Sequence, residues 1–365
     1  CIRDRWTSRA ESKFAWRMPH VEDLGEQGDW WFCDGRKIIG VTAGSSKVGD
    51  RFLDPDKLAS QKFKIDDVRP GGWIPEAHVK DLDIDGQDVS IVYPTETFLL
   101  FGIPDGELLD SICRIYNDWV GEFCSAFPKR IKGIATINTD DVQVGIKELE
   151  RCAKMGFIGA MIATYPTPEQ LYDNPAYEPF WAAAQDLQMP LSLHIACNRY
   201  SPVQELADPN IARPAFLCNA AYWPQMSLAD IIFSGVFERY PKLQGGSVEH
   251  ELSWATHFLD RLDYTYTDRM PPKADEAQGQ QRPSSHRMVR FKDGVLPSDY
   301  FHSNVLLGFQ EDAMGIRDRH IIGVDNLQWG SDYPHQESTF PRSIEILDNI
   351  LADCTEEEKA KISGG

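Results

Sequence analysis

The chain has no apolar run approaching the ~18 residues that a membrane helix needs, so a bilayer-spanning role finds no support in its 365 residues. It is also poor in positive charge. Its 37 Lys and Arg stand against 56 Asp and Glu, a formal charge of -19 that repels nucleic-acid phosphates and anionic lipid and favours a small-molecule partner. There is no Cys-x-x-Cys pair. Cys1, Cys33, Cys113, Cys124, Cys152, Cys197, Cys218 and Cys354 are scattered, which excludes a zinc ribbon and offers no disulfide framework. Most of these thiols stand among apolar neighbours and read as small packing groups, Cys197 included, in keeping with a reduced, cytoplasmic setting.

What the chain does have is bulk and alternation. With 42% apolar residues and ten Trp it can bury one large core, and a barrel of roughly 250 residues plus insertions reaches this length as one domain over residues 1–365. Strand-like and helix-like segments follow one another: Val89 to Tyr93, a helix from Gly106 to Ala126, Ile131 to Ile137, a helix from near Thr139 led by Asp140 and Asp141, then Gly156 to Ile162. A helix from Pro175 to Leu187, Leu191 to Ile195, a helix from about Leu228 to Tyr240, Gly246 to Glu249 and a helix from Ser253 to Tyr266 continue the pattern. Val305 to Gly308 and Leu327 to Ser331, with a helix from Ser343 to Leu351, complete it. This order predicts an α/β fold, a (β/α)8 TIM barrel with insertions. Seven strands are accounted for, and the first in barrel order is expected upstream of Cys1.

Two insertions interrupt the repeat. Residues 7–80 carry a hairpin signal, Asp34-Gly35 between apolar runs, while residues 268–300, with Pro271-Pro272 and Gln278 to Gln281, are too polar to form a domain. Trp30 and Trp31 in the first insertion read as an exposed segment, the ground for expecting a homodimer.

Polar residues at the carboxyl ends of barrel strands carry the chemistry of such folds. Asp332 ends an apolar run whose Leu327 and Trp329 point one way, and a carboxylate delivered to the mouth of a core needs compensation, most simply a metal ion. His194 ends another run, and Glu249 and His250 end a third. Adjacent residues of a strand face opposite sides, so at most one of that pair points inward, and His250 is the favoured one. His335 either orients Asp332 or docks on loop backbone. Trp223, Trp254, Tyr222 and Tyr333 read either as an apolar wall for a planar substrate or as packing residues.

Tyr172 to Trp181, Leu193-His194, Ile232 to Leu243, Val248 to Trp254 with Arg261-Leu262-Asp263, and Trp329 to His335 together resemble the amidohydrolase superfamily, specifically the amidohydrolase 2 branch that contains 2-amino-3-carboxymuconate-6-semialdehyde decarboxylase. The resemblance implies that His194 and Asp332 are metal ligands, with Asp332 also an acid-base group and Glu249 or His250 assisting. The branch's first-strand ligands have no counterpart in this sequence. Phe157 to Thr164 contains no Lys, so a carboxylated-lysine bridge between two metals is not supported and one divalent ion is expected.

Zinc is the first expectation for that ion, with iron and manganese as alternatives. Such an ion lowers the pKa of bound water to about 7 for hydrolysis, or polarises substrate oxygens while carbon dioxide leaves. The resulting expectation is a hydrolase or non-oxidative decarboxylase acting on a carboxylated ring or ring-cleavage product, with Trp223, Trp254, Tyr333 and His335 contacting substrate. The alternatives are an iron-dependent oxygenase on the same scaffold and a non-catalytic protein that kept the barrel.

Overall fold

Seven short parallel strands, each followed by helix, set the architecture of the computed structural model, which describes residues 5–41, 48–52, 64–199, 215, 218–269 and 288–364. Ahead of them β1 (His20–Asp23), β2 (Asp29–Cys33) and β3 (Arg36–Gly40) form a separate antiparallel sheet. The parallel strands are β4 (Ser90–Val92), β5 (Ile131–Thr136), β6 (Gly159–Ile162), β7 (Leu191–His194), β8 (Gly245–Val248), β9 (Val305–Phe309) and β10 (Leu327–Trp329), paired in unbroken sequence order. This is the alternation read in the sequence, and among the described residues the sheet stays open between β4 and β10.

The pleat sorts each strand's side chains. Ala135, Ala160, Ile162, Leu191, Leu193, Leu307 and Leu327 belong to the large apolar core that includes the surrounding helices, whereas Ile134, Met161 and Ala163 join a smaller inner cluster with Phe101 and Cys197. Register pairs Ser192 with Met161, so Ser192 and then His194 share the inner face. Cys197 is fully buried in that inner cluster, a packing role.

Two of the barrel's helices start where the sequence supplies an aspartate cap. Asp105 accepts from the Leu108 amide at the head of Gly106–Ser125, and Asp141 accepts from the Gln143 and Val144 amides at the head of Val142–Lys154. Asp140 has another use, an ion pair with the buried Arg199. The helix expected from Leu228 instead begins at Tyr222, and ends at Phe233 because Gly235, at φ 76°, opens a second short helix.

Trp30 and Trp31 are buried, not exposed. The Asp34-Gly35 hairpin forms as read, but its strands turn inward: Trp31 meets Trp6 edge-on at 5.6 Å, Trp6 stacks on Tyr116 at 5.7 Å, and Lys37 Nζ covers the Trp30 ring at 3.6 Å. The surface argument for a dimer falls with them. Pro271-Pro272, Gln278 to Gln281 and His286 lie outside the described residues. No helix among the described residues is long and apolar enough to cross a membrane.

Within the helix Tyr222–Phe233, Leu228, Ile231 and Ile232 pack into the core and Ser227 Oγ donates to the Thr164 carbonyl at 2.6 Å. Asp230 on the same helix is drawn under cover, and burial together with the charge of Asp173 pushes its carboxyl up to about 7. A folded-state pKa above the unfolded value near 3.9 means that the fold favours the protonated form, so the group's contribution is intact below about pH 4 and is lost as pH rises through about 7. Asp230→Asn is therefore expected to melt above the wild type at pH 8, by about 2 °C or more, with the gap closing at pH 4. Equal melting temperatures at pH 8, measured by circular dichroism, would contradict this.

Candidate active site at the strand ends

Three of the barrel strands end in backbone that leaves the sheet through the left-handed region at a residue other than glycine: Ala196 at φ 65° after β7, Glu249 at φ 61° after β8 and Asp332 at φ 59° after β10. Such a conformation disfavours most side chains, and it breaks the alternation that an extended strand imposes. Glu249 lies one residue beyond the end of β8, so the rule that adjacent residues face opposite sides no longer fixes its direction.

The consequence is a change of partner. Glu249 reaches His194, whose Nε2 lies 3.1 Å from Glu249 Oε1. His250, the residue favoured for the cavity from sequence, is instead held by Ser247, Oγ to Nδ1 at 2.9 Å, and both are buried. Burial, then the nearby His194, pushes His250 down to about 3, so it remains neutral at physiological pH. The following segment is anchored: Asp312 accepts from the Leu252 amide at 2.9 Å and the Ser253 amide at 2.7 Å.

Asp332 stands on the other side of Glu249. One ligand-competent atom each from Glu249, Asp332 and His335 all lie within 4.8 Å of one another. His335 Nδ1 is 3.4 Å from Asp332 Oδ1, and its Nε2 is 3.3 Å from Thr95 Oγ1. The reading that His335 orients Asp332 has this contact behind it. His194 is joined to the trio through Glu249.

The electrostatics follow from burying two carboxylates together. Burial raises Asp332 to about 6, with Glu249 adding to the shift and His335 opposing it. For Glu249 burial also pushes upward, but the charge and hydrogen bond of His194 reverse it and hold the carboxyl well below its usual range. Burial disfavours a charged His335, yet Asp332 outweighs that cost and raises it to about 9. His194 is likewise raised despite burial, chiefly by Glu249.

These residues fit a divalent cation. Ligand atoms bound to one ion at ~2.0–2.2 Å lie no more than about 4.4 Å apart, so Glu249, Asp332 and His335 need only small side-chain shifts to share one. His194 satisfies a second requirement. Its Nδ1 contacts the Ile195 carbonyl at 3.1 Å, which orients Nε2 toward Glu249 and the trio.

The aromatic residues divide. Trp223 packs on Tyr165 at 5.0 Å and on the half-exposed Tyr222 at 5.1 Å, beside the ends of β6 and β7. Trp254 belongs to the helix layer, packed at a tilt against Phe258 and donating to the Glu251 carbonyl at 2.9 Å. Tyr333 sends its hydroxyl to Asp81. Tyr93 and Phe98 pack against the His194 ring at 5.5 and 5.7 Å, and with Thr95 they are site residues that sequence reasoning missed. Their one available signal was position, immediately after a barrel strand.

The family model Amidohydro_2, described as Amidohydrolase, matches residues 37–268, well over half of the chain. A gamma-resorcylate decarboxylase of Rhizobium radiobacter is 30% identical over 317 residues, spanning 80% of this chain and 88% of that protein. The gamma-resorcylate decarboxylase of Rhodococcus jostii (strain RHA1) is 30% identical over 171 residues, 41% of this chain and 50% of that relative's length. Among solved structures, an amidohydrolase from Mycobacterium avium subsp. paratuberculosis K-10 superposes with a TM-score of 0.71 at 19% identity, covering 99% of this chain and 94% of its own. A dihydroxybenzoic acid decarboxylase from Polaromonas sp. JS666, with bound manganese and the inhibitor 2-nitroresorcinol, gives a TM-score of 0.61 at 20% identity, covering 89% and 94%. These are described as decarboxylases or amidohydrolases, and they lend no support to the oxygenase alternative. With a parallel barrel sheet and polar strand ends of this kind, the chain belongs to the amidohydrolase family.

Proposed function

We propose that this protein is a metal-dependent, non-oxidative decarboxylase whose substrate is a small hydroxylated aromatic carboxylate. The observation that carries the proposal is the gathering of Glu249, Asp332 and His335 within 4.8 Å at strand ends, with His194 against Glu249. The decarboxylating relatives favour this reaction over hydrolysis, and the manganese in the Polaromonas structure makes Mn²⁺ the first metal to test, ahead of zinc.

Asp332, His335 and His194 are the proposed holders of the ion. When bound, it supplies Lewis-acid charge against the substrate's carboxylate and neighbouring hydroxyl oxygens. Glu249 and Asp332 are the proposed proton-carrying pair, hydrogen-bonded to each other, with Asp332, raised to about 6, as the protonated partner and Glu249, held low by His194, as the ionised one. The proton goes to the ring carbon that bears the carboxylate. The bond from that carbon to the carboxylate then breaks, its electron pair returns to the ring and carbon dioxide leaves, so no oxidant is consumed.

His250 has a supporting role in this reading, buried beneath Glu249 on Ser247. Phe98 stacks on the His194 ring and Tyr93 packs against it at a tilt. Trp223 with Tyr165 is the proposed apolar wall for the substrate ring, while Trp254 is a packing residue.

Anaerobic incubation of the Mn²⁺-loaded full-length protein with 2,6-dihydroxybenzoate and related hydroxybenzoates is expected to release carbon dioxide and the decarboxylated phenol in equal amounts. Turnover that stops without dioxygen, or metal-loaded protein that releases no carbon dioxide from any member of the series, would refute the assignment. Glu249→Gln keeps the shape of the side chain but removes the ionised partner of the pair, and is expected to lower kcat by about 10²-fold or more. His250→Asn is expected to cost less than Glu249→Gln, and the reverse order in steady-state kinetics would return the catalytic role to His250.

A further inference from the structure

The residue after Asp332 is tied to a polar cluster that lies outside the proposed chemistry. Tyr333 donates its hydroxyl to Asp81, and Asp81 in turn accepts both arms of the Arg69 guanidinium, Nε to Oδ2 at 2.7 Å and Nη2 to Oδ1 at 2.6 Å. Asp81 is buried, and although burial opposes its charge, Arg69 and Tyr333 hold its carboxyl below the usual range. The ring of Tyr333 is fixed as well, edge-on to His78 at 5.3 Å and to Phe340 at 5.2 Å, with the Arg69 guanidinium over the Phe340 ring at 4.9 Å.

Space for this arrangement has been left in the backbone. A Cβ on Gly71 would fall 1.9 Å from the Tyr333 hydroxyl and 2.3 Å from Asp81 Oδ2, so the bond exists only because residue 71 has no side chain. The Gly71 carbonyl is itself held by His78 Nδ1 at 2.8 Å. Arg69, Gly71, His78 and Asp81, all ahead of β4, thus gather around one tyrosine near the far end of the chain.

We propose that Arg69, Asp81 and Gly71 are positioning residues, which act through Tyr333 to hold Asp332 in its left-handed conformation and so keep its carboxylate in the cation-binding group. Asp332 at φ 59° is in a backbone state uncommon for any residue but glycine, and its neighbour's hydroxyl is tied to a charged, buried acceptor. The pull on Tyr333 and the direction of Asp332 are therefore one constraint. The proposal rests on the reading of Asp332 as a metal ligand, and it reassigns Tyr333 from contacting substrate to holding the site.

The test is Mn²⁺ affinity of the full-length protein, by titration calorimetry, in Tyr333→Phe, Asp81→Asn and the double variant, with melting temperatures measured alongside. Each single variant is expected to weaken Mn²⁺ binding by about 10-fold or more, the scale seen when an outer partner of a metal ligand is removed. The double variant should bind no more weakly than the worse single one. Wild-type affinity within twofold in both single variants overturns the proposal, as does a double variant whose loss is the product of the two. Failure of the proposed reaction is separable: wild-type protein that binds Mn²⁺ tightly but releases no carbon dioxide refutes the decarboxylase reading while leaving this comparison intact. Gly71→Ala, which forces the hydroxyl away without touching a polar group, should reproduce the loss of affinity.

Discussion

Two carboxylates, Glu249 and Asp332, are half-buried within reach of each other, and the arrangement of the strand ends follows from that constraint. Like charges so placed do not both ionise freely in a poorly solvated setting, which is why one carboxyl is driven up and the other is held down by an imidazole. The compensation comes from His194 on β7 and His335 beyond β10, one histidine against each acid. A cation is the remaining partner that would satisfy both at once, and the oxygen and nitrogen donors gathered there are of the type that manganese or zinc accepts.

The barrel bears the cost of this gathering in its backbone. Ala196, Glu249 and Asp332 each leave a strand in the left-handed region, a state of order 1–3 kcal/mol above the extended one for such residues. The surrounding structure holds them there. Asp312 grips the amides that follow β8, and Arg199 reaches from the loop after β7 to the Ile103 carbonyl, bracing the 95–103 segment from which Thr95 and Phe98 meet His335 and His194. The loop after β10 is braced in turn through Tyr333. Each strand end that delivers a polar group thus has its own support from a different part of the chain.

Much of this was legible from residue pattern. Short apolar runs separated by amphipathic stretches mark the seven strands and their order, because a parallel strand buried on both faces must be apolar almost throughout. The same logic exposed His194 and Asp332, polar residues that terminate such runs. Asp141 was placed correctly at the positive end of a helix, since a cap is a local matter of three residues. Trp30 and Trp31 were misjudged because their burial depends on Trp6 and Tyr116, remote in sequence and signalled by no local pattern.

The sequence by itself determined the class of fold and two of the polar strand ends, since periodicity and the cost of burying an isolated charge are properties of a few consecutive residues. Only the tertiary structure set Glu249 against His194 and His250 on Ser247, brought His335 and Thr95 to the same place and tied Tyr333 to Asp81. Those outcomes depend on where the chain turns after each strand, and a left-handed residue redirects a side chain by packing forces that arrive from distant segments.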